Sequence, residues 1–396
     1  VSHGSDDGAE TRRLLFVLSL SGFASTFAMR FVDPMVGEIS RDLARPAHDV
    51  ALLASAFALP YALVQPILGP VGDALGKERI IKICLLVLAV SLGLASLMPD
   101  LDTLLALRIL SGAAGGGIIP LVLAAIGDRV PMAERQVAIS RFLLFSISGQ
   151  LLGGSLSGVL TAAIGWRGVF ALAGFLGAAA TVAAFVGLRH ARPASGTFSV
   201  RVAVRRYGAI LAMPRARALF AFVFVEGGII FGVQPYLAPL LDERGLGGAP
   251  EAGIMIACFA AGGMLYTLSV RALLRVLGVR RMLMTAGAFG AGPFLVIAAG
   301  PGWPLQAAAM LLLGVGFYML HNSYQTQVTE LTAEARASAV SLHAFSYFTG
   351  QAIGAPVIGA GLVAAGVMPT LAAAACGVLA LGIVSAAVLF PRQRAL

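Results

Sequence analysis

The chain has 396 residues, of which 58% are hydrophobic and only 12% charged, with a net charge of +9 and a mean hydropathy of +0.89. A water-soluble domain of this composition would expose large apolar patches, so the solvent the sequence is built for is lipid. A soluble enzyme is excluded on that ground. A transmembrane β-barrel is excluded too, because it needs alternating segments of about ten residues and this chain has continuous apolar runs.

A spanning helix takes roughly 20 apolar residues. Twelve such windows follow one another with short connections, near 13–35, 50–70, 79–98, 102–126, 138–162, 166–188, 218–240, 251–273, 281–300, 304–328, 337–362 and 368–390. The first eleven residues are polar and lack a signal-peptide pattern, so the first span is expected to act as its own insertion signal. The 48 glycines fit helices that pack closely through small residues. Cys84, Cys258 and Cys376 lie in separate spans, with no disulfide framework and no metal-ligand spacing.

If the chain starts in the cytoplasm, the inner loops and tails hold 22 Lys and Arg, while the outer loops hold four, Arg41, Arg45, Arg167 and Arg244. Arg30 and Arg108 fall within spans. This asymmetry is the positive-inside rule, and it predicts both termini in the cytoplasm. The basic excess is then topology, and nucleic acid is not an expected partner.

Residues 69–79, running from Gly69 through Gly72, Asp73, Gly76 and Lys77 to Arg79, form a short charged connection between the second and third spans. Spans joined so tightly must be antiparallel neighbours, with the charges held at the water boundary. A phosphate-binding loop is rejected, because Glu78 follows Lys77 and Val71 stands where the first glycine is needed.

Residues 189–217 interrupt the apolar pattern with seven arginines and no acid. Within them, Val200 to Met213 mixes apolar and basic positions as a helix lying on a leaflet does. A basic linker and a lipid-binding segment are both open readings. The break predicts two six-helix units, 12–188 and 218–390, joined by this linker. A gap-free offset of 201 relates them, placing Ser140 on Ser341, Gly149-Gln150 on Gly350-Gln351, Gly153 on Gly354 and Gly158 on Gly359. Gly278-Val-Arg280-Arg281 is a degraded second copy of Gly76-Lys77-Glu-Arg79.

The charged connection resembles the helix 2–3 signature of the major facilitator superfamily of secondary transporters, and the resemblance extends over residues 12–390. It implies an all-α membrane protein with 12 transmembrane helices in two six-helix repeats. It also implies gating roles for Gly69, Asp73, Gly76 and Arg79, with Asp73 latching the cytoplasmic side against a helix N-terminus.

Charged and polar residues inside spans are the candidate site, because such groups must face a cavity or a partner. Arg108 opens the run Ser111-Gly112-Ala-Ala-Gly115-Gly116. That run resembles the family's helix 4 motif, which implies proton coupling; an arginine that merely bonds backbone carbonyls is the alternative. Arg30 and Asp33 share a face at i, i+3, and Asp33 is expected to neutralise one or both arginines; Asp33-Pro34 could instead simply end the helix. Glu226 is an isolated carboxylate among apolar neighbours in the seventh span, a candidate proton carrier, with Gln234 two turns on. The tenth span is the most polar, carrying Tyr318, His321, Asn322 and Gln325, and His343 enters the eleventh at a similar depth. These residues could wall a polar cavity, although lone histidines in membranes also bond neighbouring carbonyls. In the fifth span, Gly149-Gln150 to Gly158 resembles the helix 5 signature of proton antiporters, with Gly154 in place of the usual proline.

The expectation is therefore a bacterial inner-membrane transporter, not an enzyme, working as a monomer. Its proton-coupling residues are Asp33, Arg108 and Glu226. Its substrate-binding residues are Arg30, Gln150, Gln234, Tyr318, His321, Asn322, Gln325 and His343. Its partners are a small-molecule substrate and the bilayer, and no cofactor or metal is expected beyond a proton gradient. Proton-coupled efflux of a small organic compound is the first functional reading. Import or facilitated passage of a small anionic or polar metabolite is the alternative, suited by the basic character of Arg30 and Arg108.

Overall fold

The computed structural model describes residues 3–188, 200–332 and 336–390. Every regular element among them is helical: α1 (His3–Arg30), α2 (Val36–Asp42), α3 (Ala47–Val50), α4 (Leu52–Leu75), α5 (Lys77–Ala95), α6 (Leu101–Arg129), α7 (Met132–Gly187), α8 (Val200–Ala212), α9 (Pro214–Gly232), α10 (Leu237–Glu243), α11 (Ala249–Ala299), α12 (Trp303–Thr329), α13 (Arg336–Ala365) and α14 (Val367–Leu389), with two 3₁₀ turns at Asp33–Met35 and Gln234–Tyr236. Among the described residues, nine stretches are long and apolar enough to cross a membrane. The fold is all-α and multi-pass. The α5 helix is not one of the nine, because Glu78, Arg79 and Lys82 crowd charge into its first two turns.

Two of the long helices turn back on themselves. In α7 the backbone leaves the helical region at Gly165 (φ 65°, ψ 167°), and in α11 at Gly278 (φ 65°, ψ 164°). Such positive φ is open to glycine without a Cβ clash. Both ends of α7 lie at one end of the bundle: the Val186 carbonyl accepts from Arg13, while Glu134 and Arg141 share a hollow with Leu15. Both ends of α11 meet near Arg244, which donates to the Ile297 and Ala298 carbonyls just after the turn that leads into Ala249.

Close helix approach comes from glycine. A Cβ on Gly149 or Gly153 of α7 would sit 2.5 Å from the Phe23 or Phe27 carbonyl oxygen of α1. A Cβ on Gly350 or Gly354 of α13 would overlap the Phe224 or Gly228 carbonyl oxygen of α9. Each contact in the second set lies 201 residues beyond its counterpart in the first. In α6, Gly112 and Gly116 do the same against the carbonyls of Phe57 and Tyr61 of α4.

The first span does not end at Pro34. Pro34 and Pro235 lack an amide hydrogen and occur in 3₁₀ turns, and the chain then continues helically as α2 and α10. Asp33-Pro34 is thus a bend within a longer rod rather than a terminus. The start of α6 is capped by Asp100, whose carboxylate accepts from the Thr103 amide at 2.9 Å. Hydrogen bonding from the Thr103 backbone and side chain holds the Asp100 carboxyl below the usual carboxylate range.

The glycine contacts predict a clear contrast. Gly354→Ala should lower the thermal stability of the purified protein by about 1–3 kcal/mol through overpacking. Gly127→Ala, where nothing lies within 4 Å of the added Cβ, should leave or raise it. A thermal-shift measurement distinguishes the two.

Candidate functional site

Arg30 ends α1 and is 6% exposed, and Asp33 beside it is fully buried. The Arg30 Nη1 donates to Asp33 Oδ2 at 3.2 Å, and Nη2 donates to the amide oxygen of Gln351 on α13. Its guanidinium also lies over the ring of Phe231 on α9, 4.1 Å from the centroid. A cation inside a bundle needs this many partners because no bulk water reaches it. Arg30 therefore ties the first part of the chain to the last.

Arg108 is fully buried on α6 and serves a different set of atoms. Its Nε donates to the Leu53 carbonyl at 3.2 Å and its Nη1 to the Ala28 carbonyl at 2.8 Å, with the rings of Phe57 and Phe31 beneath it at 4.3 and 5.3 Å. The expected ion pair between Asp33 and Arg108 is not formed. Asp33 pairs with Arg30 alone, whose guanidinium is reached from the next helical turn, and Arg108 bridges α1 and α4 through their backbones.

Glu226 on α9 is fully buried and its Oε2 lies 2.8 Å from Nδ1 of His321 on α12, while Oε1 has no hydrogen-bond partner. The His321 ring lies 5.4 Å from that of His343 and 4.7 Å from that of Tyr347, both on α13. Glu226, His321 and His343 thus converge as their depths suggested. Because His343, Tyr347 and Gln351 are spaced i, i+4, i+8, one face of α13 carries the His321 contact at one end and the Arg30 contact at the other.

The remaining predicted wall residues do not join this cluster as a unit. Tyr318 packs on Gly263 of α11, where an added Cβ would overlap its ring. Gln325 is exposed, while Asn322 and Gln150 are half-buried. A shared face at i, i+4 therefore did not give His321 and Gln325 the same burial, although α12 stays packed beyond them, with Tyr324, Gln327 and Val328 buried. Gln234 is buried in the second 3₁₀ turn, at the position 201 residues beyond Asp33. Gly154 sits against Arg30, 3.7 Å separating an added Cβ from the Arg30 Cβ.

At the 69–79 connection, Gly76 (φ 93°) ends α4 and begins α5. Gly69 and Asp73 lie in the last turns of α4, and the side chain of Asp73 is outside what is described. Arg79 is exposed. The contacts that are described run through its neighbours: Lys77 Nζ donates to Asp128 at 2.5 Å and Arg129 pairs with Glu78, tying the start of α5 to the end of α6. At the opposite end, Arg41 of α2 pairs with Asp242 of α10, while Asp42 accepts from Arg167 and, at 3.1 Å, from the Trp166 indole.

Gln351, Phe231, Lys77, Glu78 and the Arg41–Asp242 pair were not singled out by the sequence. The 201-residue offset was the available signal: it places Gln150 on Gln351, Arg30 on Phe231 and Arg41 on Asp242. In the last two cases the equivalent residues touch each other.

The Major Facilitator Superfamily profile matches residues 18–355. The chain belongs to that superfamily. It is a multi-pass membrane transporter of a small molecule, not an enzyme. It is 24% identical over 316 residues to the uncharacterized MFS-type transporter YwfA of Bacillus subtilis, covering 76% of each chain. Against the quinolone resistance protein NorA of Staphylococcus aureus it is 29% identical over 172 residues, 43% of this chain and 44% of that one. Its fold matches the crystal structure of the nucleoside transporter NupG with a TM-score of 0.75 at 14% identity, over 96% of this chain and 100% of the other. Among the described residues of this superfamily member, no group of three or more His, Cys, Asp or Glu could hold a metal, and the three cysteines are free.

The Arg41–Asp242 pair is exposed, so its worth to stability is expected to be under about 1 kcal/mol. Its effect should instead show in access. Asp242→Arg is expected to speed thiol labelling of a cysteine introduced at Gly37, which lies beneath Pro239, and Arg41→Asp combined with it should restore the slow rate.

Proposed function

We propose that this chain imports a small anionic or polar metabolite across the bacterial inner membrane by alternating access, coupled to protons through Glu226. The observation that carries the reading is the buried Arg30, held at once by Asp33 on its own rod and Gln351 on α13. A guanidinium whose partners come from both parts of the chain can exchange one of them for an anionic or strongly polar substrate, and the exchange alters the contact between those parts.

The architecture offered for this cycle is twelve crossings in two six-helix units, 12–188 and 218–390, with 189–217 as a cytoplasmic linker and both termini cytoplasmic. In support, the nine apolar stretches, the reversals at Gly165 and Gly278 and the short α5 sum to that number. The glycine contacts repeated 201 residues apart support the two units. Of the linker, residues 189–199 lie outside the described residues. Asp33 and Arg108 are assigned supporting roles, Asp33 as the counter-ion Arg30 returns to and Arg108 as a strut between α1 and α4. Gln150, Gln234, Tyr318, Asn322, Gln325, His321 and His343 are assigned to the substrate path, and Gly69, Asp73, Gly76 and Arg79 to the cytoplasmic gate. The protein is proposed to act as a monomer with no cofactor other than the proton gradient.

The nucleoside carried by NupG is itself a polar metabolite, in keeping with this reading. Proton-coupled efflux is the second reading, favoured by the partial similarity to NorA and by the helix 5 run from Gly149 to Gly158.

Purified protein in liposomes with an acid exterior should accumulate labelled organic anions. Glu226→Gln should lose that gradient-driven accumulation by at least about tenfold while keeping exchange between equal pools, the pattern of lost coupling with binding intact. Accumulation in Glu226→Gln equal to the unmodified protein removes Glu226 from coupling. Movement only of organic cations, and outward, replaces the import reading with efflux.

A further inference from the structure

Residues 200–217 and 264–285 hold nine arginines and no acid. The fold brings these two stretches to one end of the bundle. The turn at Gly278 and the start of α9 each lie a helix length away from Arg244, which marks the opposite end. Arg215, in the first turn of α9, donates to the amide oxygen of Gln327 in the last turn of α12. The α8 helix lies at the same end, packed against α9 and α13 with Ile210 buried.

These cations are not paired off within the protein. Among the described residues, Arg205, Arg206, Arg217, Arg271, Arg275 and Arg281 enter no ion pair, and Arg280 has a buried Nη1 with no hydrogen-bond partner. The 69–79 connection differs, since Lys77 pairs with Asp128 and Glu78 with Arg129. The positive-inside rule accounts for the sign of both surfaces, but not for acids that balance one and are missing from the other. Between the unpaired arginines stand apolar side chains that face outward. Val204 is 63% exposed, Leu268 83% and Val276 76%. Leu211 is exposed as well and, seven residues from Val204, shares its face of α8. A soluble polyanion would meet the arginines and leave these apolar groups without a match. A leaflet with anionic headgroups above hydrocarbon matches both.

We propose that this end of the later part of the chain is a docking surface for anionic phospholipid. Arg205, Arg206, Arg271 and Arg275 take the headgroup phosphates, and Val204, Leu211 and Val276 enter the acyl layer. The lipid holds α8 on the leaflet and anchors α9 and α13, against which α8 packs. The surface is separate from the Arg30 site, and its test does not depend on what the protein transports.

The test uses the full purified chain in phosphatidylcholine nanodiscs, with Cys84, Cys258 and Cys376 replaced by alanine and a fluorophore on Val204→Cys or Val276→Cys. Quenching is compared between phosphatidylglycerol and phosphatidylcholine that each carry a nitroxide on the acyl chain. The phosphatidylglycerol form should quench at a concentration at least about fivefold lower, the selectivity that one arginine at the headgroups provides. High salt should narrow the difference. Arg205→Gln with Arg206→Gln should bring the two lipids to within about twofold at position 204. Arg271→Gln with Arg275→Gln should do the same at position 276, and decides the matter if the first pair disturbs α8. A fluorophore on Val137→Cys, exposed on α7 beside Glu134, should report no preference. Equal quenching by the two lipids at 204 and 276, or the same preference at 137, overturns the proposal and leaves the arginines as topology alone. Absence of quenching by either lipid at 204 and 276 overturns it in favour of a soluble acidic partner.

Discussion

A charge inside hydrocarbon has to bring its own solvation, and the arrangement of this protein follows from how its few buried charges obtain it. Arg108 is solvated by two backbone carbonyls and two rings, all from α1, α4 and the turn between them, so it stiffens one part of the chain. Arg30 is solvated by Asp33, Gln351 and Phe231, which belong to helices far apart in sequence. The partners of the first arginine lie close together in sequence and those of the second lie far apart. That difference is the ground on which Arg108 is proposed as a strut and Arg30 as a contact that a substrate contests.

The same bundle keeps its helices close by omitting side chains. Carbonyl oxygens of α1 and α9 lie where a Cβ on the facing glycines of α7 and α13 would have to be. With no hydrophobic drive between helices in lipid, packing at this distance supplies the attraction. It also fixes where the longer polar side chains can lie. Gln351 reaches Arg30 only because Gly350 and Gly354 let α13 sit against α9.

Much of this was legible in the sequence. Hydropathy pointed to the multi-pass helical fold, and similar depth along the spans allowed Glu226, His321 and His343 to approach one another, as they do. The parts that were not legible share a cause. Residue spacing along one helix reports which side chains share a face, and says nothing of the neighbour that face meets. Arg30 and Asp33 at i, i+3 do pair, whereas Arg108 follows the alternative reading and bonds backbone carbonyls, whose positions carry no mark in the sequence. His321 and Gln325 at i, i+4 differ in burial although Tyr324, Gln327 and Val328 around them stay buried. The bend at Pro34 was open to reading as a helix end, since a missing amide hydrogen marks a break without telling whether the helix resumes. The repeat offset held more than was drawn from it: it already matched Arg30 with Phe231 and Arg41 with Asp242, and both matched pairs are in contact.

The central claim is that anion binding at Arg30 and proton binding at Glu226 are linked through the α13 face that joins them. Linkage of this kind is measured most directly as protons taken up when ligand is added to the purified protein in weakly buffered solution, followed with a pH indicator across the neutral range. The account predicts uptake of about one proton per bound anion at the alkaline end of that range, and none in Glu226→Gln protein that still binds the anion. Saturable anion binding with no proton taken up at any pH in the unmodified protein would contradict it.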